Sequence, residues 1–382
     1  MVSRVYLDHH TATRPSPSSI EAMLPFFRDH WGSTTAPHQM GQELFPTLNK
    51  GTKKILRSLG ADEKDRFYFF SSSADAIGEL YLSHYFDTIL HTGRNHIVTT
   101  NIEAAAPLVS LKRLEKLGCG GKILSVNGQG QLTGQILEEA LGPRTSLVSI
   151  SWANGLTGVI HPIADLAEAC HAKDIRLHVD ASDVIGKHYF RFEDLHIDFL
   201  TFEGSLLHAP KGTAGLLVKE KTPFSYPISS MVGSSVGAIA ALATALEEGE
   251  ERFDYLCLEV ARLRDKLEKG IQEGFPEAEI LFQKVERLPN CCAIAFPGIV
   301  SDALLFLLNR KGIYASVGGG RLQNLSHLLV ACGIDETLSQ CALSFSLSFE
   351  TTEEEIDYAI ETIVLSAQKL QTFSHNIFRQ EP

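Results

Sequence analysis

The sequence predicts an α/β protein: a mostly parallel, seven-stranded sheet covered by helices, together with a smaller α+β unit. Three observations carry that expectation. Seven short β-rich runs between residues 66 and 220 alternate with helical patterns, the rhythm of successive βαβ units. After about residue 235 the rhythm gives way to long runs with apolar residues recurring at three and four, the period of a helix face. The chain has 382 residues, more than the roughly 250–300 at which single cores stop growing, so two units are expected.

In order, the strands are expected in RFYFFSS (66–72), HIVTTN (96–101), KILSVN (122–127), TSLVSISW (145–152), RLHVDAS (176–182), FLTFE (199–203) and AGLLVKE (214–220). Each is short, rich in β-branched and aromatic residues, and bounded by turn formers. Helices fall between them, over 74–90, PLVSLKRLEKLG (107–118), ILEEALG (136–142) and IADLAEACHAKD (163–174). AIAALATALEEG (238–249) followed by FDYLCLEVARLRDKLEKGIQEGF (253–275) reads as one long connecting helix. Beyond it come AEILFQ, CCAIAFPG, a helix in DALLFLLNRKG, CALSFSLSF and a final helix opening at TTEEEIDYAIETIV. There, Thr351 or Thr352 with Glu354 or Glu355 makes a capping box.

A net charge of −12 without any Lys/Arg run excludes nucleic acid and anionic membranes as natural partners. No apolar run approaches the ~18 residues that span a bilayer, and MVSRVYLDHH lacks a leader pattern, so a cytoplasmic location is expected. Seven cysteines (119, 170, 257, 291, 292, 332, 341) show no CxxC spacing and are read as core filler. Cys291 and Cys292 point to opposite faces of a strand, which leaves one of them open to exposure.

HVDAS (178–182) ends a strand and delivers Asp180 to the carboxyl edge of the sheet, where ligands of α/β proteins sit and where a buried Asp commonly pairs with a cationic ring nitrogen. With YLDHHTATRP (6–15), SWANGLTGVIHPI (151–163), HVDASDVIGK (178–187), APKG (209–212), LPN (288–290) and FSLSFETTEEEIDYAIE (345–361), the chain resembles the cysteine desulfurases, pyridoxal phosphate (PLP) proteins of the class V aminotransferase fold. The resemblance runs in order from Tyr6 to near Leu370. It implies a fold type I homodimer, a large domain over 16–250, and a small α+β domain built from 1–15 and 251–382. It also implies a Schiff-base lysine and a loop cysteine that takes sulfur from L-cysteine.

Carried over position by position, the family's chemistry is largely missing. TFEGSLL sets Leu206 in the lysine's place, and a leucine forms no imine. Lys211 and Lys187 match lysines without catalytic duty. The phosphate turn reads SSSAD where the family has Ser-Gly-Ala-Thr, leaving neutral Ser71, Ser72 and Ser73 there, with Ala74 replacing the threonine, Glu203 replacing a serine and Ser205 a histidine. A carboxylate ~4 Å from a phosphate costs several kcal/mol at an effective dielectric near 20. Ser234 matches a hydroxyl that the partner subunit contributes. Ala104 replaces the ring-stacking histidine, Asp183 the glutamine on the ring hydroxyl, Gly320 or Arg321 the thiol, and Ser344 the carboxylate-binding arginine. Only Asp180 and Asn154 keep family identities, and both also suit an architectural reading in which they satisfy backbone donors. Cys332, the nearest thiol, lies in an apolar helical setting. GGG (318–320) lacks the Lys-Ser/Thr of a phosphate loop and reads as flexible.

Three readings follow. The preferred one is a catalytically silent relative with no cofactor expected, kept for dimerisation or for docking an iron–sulfur scaffold or an intact cysteine desulfurase; a heterodimer with an intact paralogue is equally compatible. The second is an enzyme that retains PLP and some desulfurase or aminotransferase activity, with Lys211 or a partner chain supplying the amine. In the third, Asp8, His9, His10, His178, Asp180, Asp183, Glu203 and His208 converge on a metal. Against it, His9 and His10 flank a polar turn, and no metal site is expected.

Overall fold

The computed structural model describes residues 4–225 and 235–378. Its centre is a seven-stranded sheet formed by β2 (Arg66–Phe70), β3 (His96–Thr100), β4 (Gly120–Leu124), β5 (Thr145–Ser151), β6 (Arg176–Asp180), β7 (Phe199–Glu203) and β8 (Ala214–Val218), in the order β2-β8-β7-β6-β5-β3-β4. Only β8 runs antiparallel to its neighbours β2 and β7. Period-2 alternation divides the strands between two cores. Val98, Val148, Leu177, Val179, Leu200 and Leu217 join one, while Ile97, Leu147, Phe199, Leu216 and Val218 join the other. Both faces being covered, the five inner strands read as nearly continuous apolar runs, whereas the edge strand β4 is largely exposed. One polar row crosses the sheet inside: His178 bridges Ser149 Oγ (2.8 Å) and Thr201 Oγ1 (2.9 Å), and burial pushes its imidazole down to about 3. It is a satisfied core histidine.

The first strand of the chain, β1 (Val5–Tyr6), pairs with β11 (Ile313–Tyr314), so the N-terminus packs with C-terminal elements. A three-stranded antiparallel sheet, β12 (Ala342–Ser346), β10 (Cys291–Ala295) and β9 (Glu279–Ile280), lies between two cores. Cys291, Ala293 and Ala295 face the central core; Cys292, Ile294 and Phe296 face the core of the final helix, Glu353–Phe378. Cys291 and Cys292 therefore do point to opposite faces, but both are buried, at 1% and 0% exposure. The expected exposed thiol is absent because this sheet, unlike a surface sheet, has no solvent face. The final helix opens as expected, with Glu355 N–H donating to Thr352 Oγ1 (3.2 Å) and Thr352 N–H to Glu355 Oε2 (2.9 Å).

The long connecting helix is interrupted. A helix over Val236–Glu251 ends at Arg252, and a wide π turn over Leu256–Val260 precedes the helix Ala261–Gly274. No Gly or Pro lies between Arg252 and Val260, so the break is silent in the sequence. No helix among the described residues is long and apolar enough to cross a membrane.

Candidate functional site

The site lies at the carboxyl edge of the parallel strands, where loops after β3, β5, β6 and β7 meet the glycine-rich loop that follows β11. Asp180, the last residue of β6, is 5% exposed. Its Oδ1 accepts from Ser182 N–H (3.1 Å) and Ser182 Oγ (2.5 Å), and its Oδ2 faces Arg321 Nη1 at 3.0 Å. Asp183, in the turn after β6, holds His10 Nδ1 at 3.0 Å with Oδ1 and pairs with Arg321 Nη2 through Oδ2. Burial alone would raise the Asp183 carboxyl; the Arg321 guanidinium and His10 more than offset this and hold it well below the carboxylate range. Arg321 therefore bridges two buried carboxylates.

A second charged contact sits at the end of β7. Ser72 caps the helix Ser73–His84, accepting from Asp75 N–H at 3.1 Å, and the Ser71 and Ser72 hydroxyls donate to Asp75 Oδ2. The free Ser73 N–H of that first turn donates to Glu203 Oε2 at 2.8 Å, and Ser205 Oγ donates to Glu203 Oε1 at 3.2 Å. A carboxylate at a helix N-terminus is stabilised by the unpaired N–H groups and the helix dipole. Glu203 thus supplies a negative charge of its own at this helix N-terminus.

Leu206 ends the short turn Gly204–Leu206 and is 2% exposed. It lines a small apolar cavity with Ile185, Leu207, Leu347, His9, His208 and Lys187. Lys187 Nζ reaches the Leu206 carbonyl at 3.5 Å, and burial lowers its amine, an effect Asp183 partly opposes. Lys211 is exposed in its turn. Ala104 caps the helix Ala105–Glu115 without a side-chain bond. Together with Ser73, Ala74, Ala105 and Leu322 it lines a cleft of about 440 Å³ beside Arg321. Asn154 is architectural on its oxygen side: Oδ1 accepts from Leu156 N–H (3.0 Å) and Thr157 N–H (3.2 Å), while Nδ2 has no partner. Ser344 Oγ donates to the Leu156 carbonyl at 2.7 Å, inside the sheet. Cys332 is buried, and burial pushes its thiol up to about 12.

One expectation is corrected here, and the third reading finds no support. The glycine run is held rather than loose: Gly318 N–H donates to Ser316 Oγ (3.2 Å), Gly319 N–H to the Gln323 carbonyl (2.6 Å), and Ala105 N–H to the Arg321 carbonyl (3.2 Å). The metal-type ligands do not converge, and among the described residues no group of three or more can hold an ion. His178 lies in the sheet interior, His208 Nδ1 meets the Arg14 carbonyl (2.8 Å), and Asp8 Oδ1 accepts from Thr11 Oγ1 (2.9 Å). Ser234 lies outside the described residues.

Sequence reasoning passed over Glu103. Its Oε1 accepts from Thr100 Oγ1 (2.6 Å) and its Oε2 from Ser151 N–H (2.9 Å). Burial, with Asp180 adding to it, pushes the carboxyl up to about 7 against those hydrogen bonds. Its signal was positional, since it follows β3 at the same sheet edge as Asp180. A raised folded-state pKa means that the ionised form is disfavoured in the native state. Stability is therefore greatest below the unfolded value and falls as pH rises toward 7. Glu103→Gln keeps the Ser151 N–H on its amide oxygen and reverses the other bond, its amide nitrogen donating to Thr100 Oγ1, and is expected to gain on the order of 3 kcal/mol over wild type between pH 4 and pH 8. Urea melts across that range check it; parallel curves for the two proteins would refute it.

Comparison with known proteins gives concordant findings. Residues 5–254 match the family described as aminotransferase class-V. The chain is 32% identical over 388 aligned positions to a cysteine desulfurase of Gluconacetobacter diazotrophicus, covering 98% of this chain and 96% of that one. It is 31% identical to the cysteine desulfurase of Cereibacter sphaeroides, with 98% of each chain covered. Among solved structures it is similar to a NifS-like protein at 29% identity and a TM-score of 0.88, covering 96% of this chain and 100% of the other. A NifS-like protein from Rickettsia africae shares the fold, with a TM-score of 0.84 at 22% identity and 96% and 99% of the two chains covered.

Proposed function

The chain belongs to the aminotransferase class-V family, as a relative of the cysteine desulfurases, and on that premise we propose that it is a pseudoenzyme: a cysteine desulfurase fold kept for association rather than turnover. It acts as a homodimer or beside an intact cysteine desulfurase, as a binding or regulatory partner in iron–sulfur cluster assembly, in the cytoplasm. The observation that carries this reading is the buried hydrocarbon of Leu206, in the seat where the resemblance sets an amine. The neighbouring amine, Lys187 Nζ, is turned to the Leu206 carbonyl.

On this reading the residues present do not fit PLP, and two contacts and one missing ring support that. Glu203 already receives the Ser73 N–H of the phosphate turn. Arg321 already pairs with Asp180, the partner expected for the ring nitrogen. Ala104 offers no ring surface. The test is incubation of the purified protein with PLP and L-cysteine, followed by borohydride trapping and mass spectrometry, with sulfide and alanine measured in parallel. No covalent adduct and no product are expected. A trapped adduct or sulfide above background would overturn the reading, and a pull-down from native cells identifies the partner.

A further inference from the structure

We propose that Asp180 and Asp183 form a receptor for a planar, two-pronged nitrogen cation and that Arg321 of the same chain is its built-in occupant. The proposal rests on the reading of a site without PLP and says what fills it. The two carboxylates lie 5% and 2% exposed on one turn after β6, each already bonded on its inner oxygen, Asp180 by Ser182 and Asp183 by His10. Each leaves its second oxygen for one prong of the guanidinium, Nη1 to Asp180 at 3.0 Å and Nη2 to Asp183. Planar, forked recognition of carboxylates is a geometry that a guanidinium or amidinium supplies and a spherical ammonium does not.

The loop is shaped to deliver that group. Arg321 and Leu322 hold φ of 51° and 60°, a region that non-glycine residues enter at a cost, and Gly318 and Gly319 hold 100° and 112°. A Cβ at Gly318 would lie 2.4 Å from the Gln323 carbonyl, and one at Gly320 would lie 3.0 Å from Thr11 Oγ1, so the backbone is fitted to its neighbours. The Ala105 N–H on the Arg321 carbonyl fixes the residue from the other side. With the Glu203 carboxylate on the Ser73 N–H, the chain places its own cation and its own anion at the two ends of the pocket. The cleft of about 440 Å³ beside Arg321 gives an exogenous cation a way in once the side chain is removed.

The test compares wild type and Arg321→Ala, as full chains at fixed ionic strength, by thermal melting with methylguanidinium chloride or with tetramethylammonium chloride as control. Arg321→Ala is expected to melt lower by about 5 °C or more, because two buried carboxylates lose their counter-charge. Methylguanidinium should restore a good part of that shift and tetramethylammonium none, while wild type responds to neither. Arg321→Lys should recover only part of the loss. If Arg321→Ala does not fold, the triple variant Asp180→Asn, Asp183→Asn, Arg321→Ala should fold again, since the like charges are gone. Wild-type melting in Arg321→Ala, equal rescue by both cations, or a triple variant that still fails to fold would each overturn the receptor. Trapped PLP on the wild-type chain would overturn the pseudoenzyme reading instead, so the two failures are distinguishable.

Discussion

Leu206→Lys is expected to yield a protein less stable than wild type by about 3–5 kcal/mol that releases neither alanine nor sulfide from L-cysteine, with or without added PLP. The stability loss has two parts. The side chain leaves a cavity lined by Ile185, Leu207 and Leu347, which removes a buried branched hydrocarbon. The replacement brings an amine beside Lys187, itself buried and already lowered by burial, so one of the two must be neutral or uncompensated. His9 and His208, held down to about 3 and about 4 chiefly by burial, stay neutral there and supply no negative charge to balance it. Activity does not return because the amine is only one of several absent contacts. Glu203 still holds the Ser73 N–H, Arg321 still bridges Asp180 and Asp183, and Ser344 still spends its hydroxyl on the Leu156 carbonyl. Denaturant melts and a sulfide assay check both parts, and sulfide above background from this single substitution would sink the interpretation.

Gly155→Ala is expected to destabilise by about 4 kcal/mol, among the largest effects for one added methyl group. The new Cβ would lie 1.8 Å from His10 Nδ1 and 2.3 Å from Asp183 Oδ1. Neither neighbour can yield cheaply. The His10 backbone N–H is tied to Ser346 Oγ at 2.9 Å, which fixes the base of that side chain, and Asp183 is held by Arg321. The 3.0 Å contact between His10 and Asp183 must open, leaving a buried carboxylate short of a partner. Gly142→Ala, where nothing lies within 4 Å of the added carbon, serves as the control and should melt as wild type. Equal stability of the two variants would show that the turn around Asn154 accommodates the methyl group.

The central sheet was legible because its five inner strands are buried on both faces, which writes a short apolar run into the sequence, and because turn formers punctuate those runs. The interrupted helix after residue 236 was not, since neither Gly nor Pro marks the break between Arg252 and the π turn at Leu256–Val260. At the site, the family resemblance gave Leu206, Ala104 and Glu203 by position, but it could not give their partners. Arg321 meets Asp180 and Asp183 across 141 and 138 residues of chain, and His10 meets Asp183 across 173. Such pairings leave no local pattern: a glycine triplet followed by arginine reads as a loose loop until the carboxylates that receive it are in view. Glu203 was read only as repelling a phosphate, because sequence alone did not bring the Ser73 N–H to it.

The ribbon β9-β10-β12 sends alternate side chains into two interiors at once, Cys291 and Ala293 one way and Cys292 and Ile294 the other. Neither half of the molecule could then be expressed alone without laying bare a row of side chains that now meet no water. A truncation series through this chain would have no clean place to cut.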